Sequence, residues 1–220
     1  MNSRRKANLF LTVLFVFSFS ASGYAAAPSV SVPPQEALQR LMDGNKRFVE
    51  GKMKHPRQDH QRMEELVKGQ HPFAVVLGCS DSRVPPEIVF DQGLGDLFVI
   101  RVAGNILTPE GQGSIEYAVD HLGTKLILVL GHEKCGAVKA TVEGGKVPGK
   151  IGTLTKAIAP AIKTNFCPRG DHKECSNAFF VAEKIRQAKP ILSQAVANGD
   201  ILIVSAIYNL ETGEVELLEE

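Results

Sequence analysis

Net charge, sequence repetition and tryptophan are all scarce in this chain. The formal net charge is only +1, which excludes the basic footprint of a nucleic-acid binder and the polybasic patch of a protein held on anionic membrane. No segment recurs at a fixed period and no tract is of low complexity, so a solenoid is excluded as well. Tryptophan is absent, so no site is built on an indole ring. Cysteine is limited to four residues, and none lies in the N-terminal region where a lipoprotein would need one. What is present is the composition of a soluble globular protein, 44% hydrophobic and 22% charged over 220 residues.

The beginning of the chain reads differently from the rest. Arg4, Arg5 and Lys6 precede an uncharged, largely apolar run from Ala7 to Ala21, and small residues follow from Ser22 to Ala27. Basic, then apolar, then small is the order of a secretory signal peptide. Cleavage is expected after Ala25, because a cut after Ala27 would place Pro28 beside it. The apolar run falls short of the ~20 residues of a membrane span, so a periplasmic or secreted protein with no membrane attachment after cleavage is expected. Residues 26–220 then form one domain long enough for a sizeable core.

A helix is expected to start near Ser31–Arg40, entered through Pro33 and Pro34, with Leu38, Leu41, Met42, Phe48 and Val49 on one face and Gly51 as its stop. A polar helix follows over Gln58–Lys68, and the basic residues Lys52, Lys54, Arg57 and Arg62 read as a solvated face. Phe73–Gly78, Asp96–Val102, Lys125–Gly131 and Asp200–Tyr208 are short, aliphatic and nearly continuous in apolar residues, the pattern of strands covered on both faces. Helical patterns lie between them, over Ser114–Leu122, Gly136–Val142, Leu154–Ile162 and Ser176–Ala197, the last broken at Pro190. The alternation predicts an α/β fold: a four-stranded parallel sheet with right-handed crossovers, flanking helices, and an added antiparallel edge strand over Val215–Leu218.

The first strand runs into Cys79-Ser80-Asp81-Ser82-Arg83, and the third into His132-Glu133-Lys134-Cys135-Gly136. Ligands of open α/β sheets bind at the carboxyl ends of strands, so both segments should meet in one crevice. Two thiolates and an imidazole suit zinc, and three protein ligands leave a fourth tetrahedral position open, as a catalytic zinc needs. Asp81 is expected in either of two states: bound to the metal and closing the site, or held back, ionised and oriented, by the Arg83 fork. In the second state it accepts a hydrogen bond from zinc-bound hydroxide.

These motifs, with Glu116-Tyr117-Ala118-Val119 between them, resemble the β-class carbonic anhydrases over roughly Gln35–Leu218. The resemblance implies a zinc enzyme that interconverts carbon dioxide and bicarbonate. It implies a homodimer or dimer of dimers whose N-terminal helices wrap the neighbouring subunit. It places Gln70 as a hydrogen-bond donor to bicarbonate, commonly in the partner's site, and Val84, Phe98 and Tyr117 on the apolar side of the pocket, with the Gly136 N–H near the substrate oxygens. Relatives with nearly identical motifs hydrolyse carbon disulfide or carbonyl sulfide, which is the alternative activity. A non-enzymatic zinc-stabilised scaffold would need a closed site, against which the Asp81–Arg83 pair argues. Two thiolates should acidify zinc-bound water less than a three-histidine site, where that water has a pKa of about 7, so activity should rise on the alkaline side of neutrality. The chain departs from the family at Val102, where many relatives have asparagine. It also lacks the tryptophan of one subgroup's inhibitory bicarbonate pocket.

Cys167 and Cys175 remain, eight positions apart in a polar segment. After export to an oxidising compartment a disulfide is the expected outcome, with a second metal site including His172, or free thiols, as the alternatives. Distance in sequence from both zinc motifs gives the pair a role in stability.

Overall fold

The computed structural model describes residues 31–165, 167, 170 and 172–218. The leader expected over residues 1–25 lies outside them. Five strands, β1 (Ala74–Gly78), β2 (Leu97–Arg101), β3 (Leu126–His132), β4 (Leu202–Tyr208) and β5 (Val215–Leu217), form one sheet in the order β2-β1-β3-β4-β5. All neighbours are parallel except β4 and β5. This is the predicted four-stranded parallel core with its antiparallel edge strand.

Side chains of a strand alternate between faces, and here both faces are apolar. Ala74, Val76, Leu126, Leu128, Leu130, Val204 and Ala206 point toward α1 (Pro34–Val49) and α3 (Pro86–Val89), where Leu41, Val89 and Phe90 meet them. Val75, Leu77, Ile127, Val129 and Ile203 point the other way, toward α4 (Pro109–Asp120), α7 (Lys173–Arg186) and α8 (Ile191–Ala197). Each valine, leucine or isoleucine among them contributes about 1.5–3 kcal/mol on full burial. Strands β1 and β3 are accordingly buried at every residue. The expectation of full coverage fails for β2, which is only half-buried along its length, because among the described residues β1 is its sole strand neighbour and nothing pairs with its outer edge.

Helix α4 begins five residues before the expected Ser114, at Pro109, with the Thr108 hydroxyl accepting from the Gly111 N–H. Proline at the first helical turn and a threonine cap outweigh Gly111 and Gly113, which had obscured the pattern. The helix expected over Leu154–Ile162 is α6 (Ile151–Thr164), and the expected break at Pro190 separates α7 from α8. Helix α2 (His60–Leu66) is shorter than expected and is capped by Asp59. Lys52 and Lys54 are exposed as expected, whereas Arg62 is a correction to the solvated basic face: it is partly buried, with Nε donating to the Leu94 carbonyl at 3.0 Å. Arg57 is exposed but also engaged. Its guanidinium grips the buried Asp96 with Nε to Oδ1 at 2.8 Å and Nη2 to Oδ2 at 2.8 Å, tying the segment before α2 to the start of β2. Among the described residues no helix is long and apolar enough to cross a membrane.

Candidate metal centre

Strand β1 ends at Gly78 and delivers Cys79 to the carboxyl edge of the sheet; β3 ends on His132 beside it. The chain then turns through Lys134 in the left-handed region (φ 54°), so that Cys135 returns to the same point as the residue before α5 (Gly136–Glu143). Cys79 Sγ, Cys135 Sγ and a ring nitrogen of His132 all lie within 4.8 Å of one another. All three residues are buried, and the sulfurs sit among Ile106, Val138 and Ile158.

The donor set fits zinc. Tetrahedral zinc with ordinary Zn–S and Zn–N bonds holds its ligand atoms about 3.5–3.8 Å apart, a triangle this cluster accommodates. His132 Nδ1 lies 2.8 Å from the Glu133 carbonyl oxygen; a carbonyl only accepts, so Nδ1 carries the proton and Nε2 presents its lone pair. That Nε2 is buried with no hydrogen-bond partner, a costly state for a polar nitrogen unless a metal takes it.

The charges are arranged for the same purpose. Cys79 is pushed far below an ordinary thiol, to about 3, chiefly by a hydrogen bond from Cys135; burial opposes this, while His132 and the N–H groups of Gly104 and Asp81 add to it. Cys135 is pushed up by that same bond, by burial and by the Cys79 charge, with the N–H groups of Val138 and Ala137 pulling it back. The pair thus holds one proton where a dication would hold none. Burial opposes protonation of His132, but Cys79, the Glu133 carbonyl and the Asp81 charge together raise its pKa.

Asp81 stands at the edge of this group, clamped by Arg83 through Nε to Oδ1 at 2.9 Å and Nη2 to Oδ2 at 2.7 Å. The Arg83 hydrogen bond, against the opposing effect of burial, holds the Asp81 carboxyl well below the usual carboxylate range. Arg101, at the end of β2, donates from Nε to the Cys79 carbonyl at 2.9 Å and from Nη2 to the Asp81 carbonyl at 2.5 Å. One guanidinium therefore fixes the backbone on both sides of Ser80. The turn Ala103–Asn105 closes over Cys79, and its Gly104 N–H donates to Cys79 Sγ at 3.2 Å.

The structure thus brings together Cys79, Asp81, Arg83, His132 and Cys135, with Gly136 exposed at the first position of α5. It does not bring the apolar set to them within one chain. Val84 is 1% exposed and packs into the core beneath α1, because Val84 N–H bonds back to the Asp81 carbonyl and turns the chain inward. Phe98 pairs with Val75, four residues and about 13 Å along β1 from Cys79. Tyr117 is exposed, facing Phe98 at 6.3 Å between ring centroids and stacking on His121 at 5.0 Å. Gln70 is exposed and precedes β1, at the opposite end of that strand from Cys79. The residues that sequence reasoning missed are Arg101 and Gly104. A glycine beside an asparagine after a strand was the available signal for Gly104; Arg101, at the end of a strand 22 positions from Cys79, carried none.

Cys167 and Cys175 are joined in a disulfide. Although remote in sequence from the zinc motifs, Cys175 lies in α7, which packs against β3 and the Ala103–Asn105 turn.

Comparison with known proteins agrees with this geometry. The family model described as carbonic anhydrase matches residues 74–215. A carbonic anhydrase of Mycolicibacterium smegmatis is 42% identical over 191 residues, covering 84% of this chain and 93% of the relative. Carbonic anhydrase 2 of Mycobacterium tuberculosis is 39% identical, with 84% and 92% covered. Among solved structures, the β-carbonic anhydrase CcaA superposes with a TM-score of 0.63 at 30% identity, covering 83% of this chain and 95% of that one. With the fold, the Cys79–His132–Cys135 cluster and these relatives in agreement, the chain belongs to the β-class carbonic anhydrase family and is an enzyme of that kind.

Proposed function

We propose that this chain catalyses the reversible hydration of carbon dioxide to bicarbonate and a proton, with zinc held by Cys79, His132 and Cys135. The observation that carries this reading is the unpaired, buried Nε2 of His132 facing two sulfurs, while the nearest carboxylate is held to one side by arginine. When bound, zinc would supply an acidified water, the more so on the alkaline side of neutrality, and polarise the substrate oxygen. Asp81 accepts a hydrogen bond from the attacking water and so aims its lone pair at the carbon. Arg83 keeps Asp81 ionised and turned away from the fourth metal position; without that clamp the carboxylate is free to close the site. The N–H of Gly136, at the positive end of α5, faces the oxygens on which charge develops.

The working unit in this reading is a homodimer or dimer of dimers. Half-burial of β2 and its unpaired outer edge support an interface there. An antiparallel approach of two such edges sets the amino end of one sheet beside the carboxyl end of the other. That arrangement supplies Gln70, Phe98 and Tyr117 to the neighbouring site, which a single chain leaves out of reach. Export is part of the proposal: the Cys167–Cys175 disulfide is at home in an oxidising compartment, and the basic, apolar and small order of residues 4–27 is that of a leader.

The test is a hydration assay on zinc-loaded protein, with carbon dioxide, carbon disulfide and carbonyl sulfide side by side. Rapid turnover of carbon dioxide with slow or no hydrolysis of the sulfur compounds is expected. Preference for carbon disulfide would replace the substrate and retain the metal site. N-terminal sequencing of protein from the periplasm is expected to begin at Ala26.

A further inference from the structure

Asn177 has no part in the reading above, yet it is completely buried. Its Nδ2 donates to the Gly104 carbonyl at 2.8 Å, and the Gly104 N–H donates to Cys79 Sγ at 3.2 Å. The carbonyl and the N–H of Gly104 belong to different peptide planes joined at its Cα. Asn177 therefore acts on the sulfur by geometry, limiting how far the turn can rotate. Such a clamp matters most at glycine, whose φ and ψ are the least restricted of any residue.

Position 104 strongly favours glycine. Gly104 has φ 73°, and a Cβ there would lie 2.7 Å from Ile158 Cδ1 and 3.1 Å from Ala137 Cβ. The close approach that brings the N–H to the sulfur thus requires a residue with little conformational preference of its own. Helix α7 comes within reach because Gly131 lies beneath it, where a Cβ would meet Ala178 at 3.2 Å. Keeping an amide at position 177 is costly, since its Oδ1 is left without a partner. A leucine, branched at the same carbon, would bury no unpaired oxygen there.

We infer that Asn177 is a positioning residue for the metal centre: by holding the Gly104 carbonyl it limits rotation at the Gly104 Cα and keeps the Gly104 N–H on the Cys79 sulfur. This rests on zinc binding at Cys79, His132 and Cys135. Removing the donor should free Gly104 to turn away, leave the thiolate more electron-rich, and weaken the site, as loss of an outer partner commonly costs about 10–100-fold in metal affinity.

The experiment uses full-length mature protein loaded with cobalt(II) or zinc. Asn177→Leu is expected to move the thiolate-to-cobalt charge-transfer band to lower energy and to weaken zinc about tenfold or more against a competing chelator. Ser176→Ala, on the same helix turn and equally buried, should change neither. An Asn177→Leu protein that folds with unaltered band and affinity overturns the inference alone, whereas a wild-type protein without a thiolate-to-cobalt band overturns the zinc reading beneath it. Should Asn177→Leu not fold, cadmium-loaded wild type decides. Scalar coupling across Asn177 Nδ2–H to the Gly104 carbonyl, and from the Gly104 N–H to cadmium through Cys79, is expected, and absence of either coupling removes the clamp.

Discussion

Asp81 Oδ2 lies 3.8 Å from His132 Nε2 while bonded to Arg83 Nη2 at 2.7 Å. Three donors from Arg83, its backbone N–H, Nε and Nη2, hold the carboxylate and leave about one of its four acceptor sites open toward the metal position. If that division is functional, Asp81→Asn should retain a full complement of zinc while hydration falls by about 100-fold or more, the scale of losing a positioned proton acceptor. Metal analysis and stopped-flow hydration on the same sample check this. Near-normal turnover would reduce the Asp81–Arg83 pair to a structural contact.

His132 is the ligand whose loss should be most complete. Its Nε2 has no other partner, so His132→Ala is expected to lose zinc and activity together, and chelation of the wild type should mimic it. Zinc content by atomic absorption decides, and full occupancy in the variant would remove His132 from the ligand set.

A third expectation concerns acid. Asp91 is buried and takes Arg47 Nε at 2.6 Å and the His55 N–H at 2.9 Å. Burial alone would raise its pKa, but the Lys54 N–H, Arg47 and the His55 N–H together bring it below the ordinary value. A carboxyl depressed in the folded state binds its proton more tightly when unfolded. Its stabilisation is therefore present above about pH 4 and fades as pH falls through the folded value. Asp91→Asn keeps a residue that tolerates the left-handed backbone there (φ 46°). It should cost about 2 kcal/mol at pH 7, and progressively less as pH falls below about 4. Urea denaturation at pH 7 and below about pH 4 tests the sign, and a cost independent of pH would contradict it.

The Cys167–Cys175 bridge closes a loop of eight positions, which in the chain-entropy treatment stabilises by about 2–3 kcal/mol. The double serine variant should melt several degrees lower, with hydration at low temperature and zinc affinity unchanged. Peptide mapping without reduction should recover the pair linked, and free thiols in quenched native material would contradict the bridge.

Much of this was written in local sequence. The aliphatic runs of β1, β3 and β4 need burial on two faces, and that need alone implies a layered α/β sheet. Cys79-x-Asp81-x-Arg83 and His132-x-x-Cys135 are short enough for strand ends and a tight turn to deliver them together, so ligand chemistry and placement were legible at once. Other features were not. That β2 lies at an open edge, that Val84 turns into the core, and that Phe98 sits far along the strand from Cys79 are properties of strand order, which no single segment encodes. Arg101 reaches Cys79 across 22 positions and Asn177 reaches Gly104 across 73. Their hydrogen bonds exist only because parallel crossovers return distant residues to one edge of the sheet. Composition and spacing determined which atoms could bind the metal; the packing of α7 over that edge decided what holds those atoms in place, because orientation comes from neighbours in space and not in sequence.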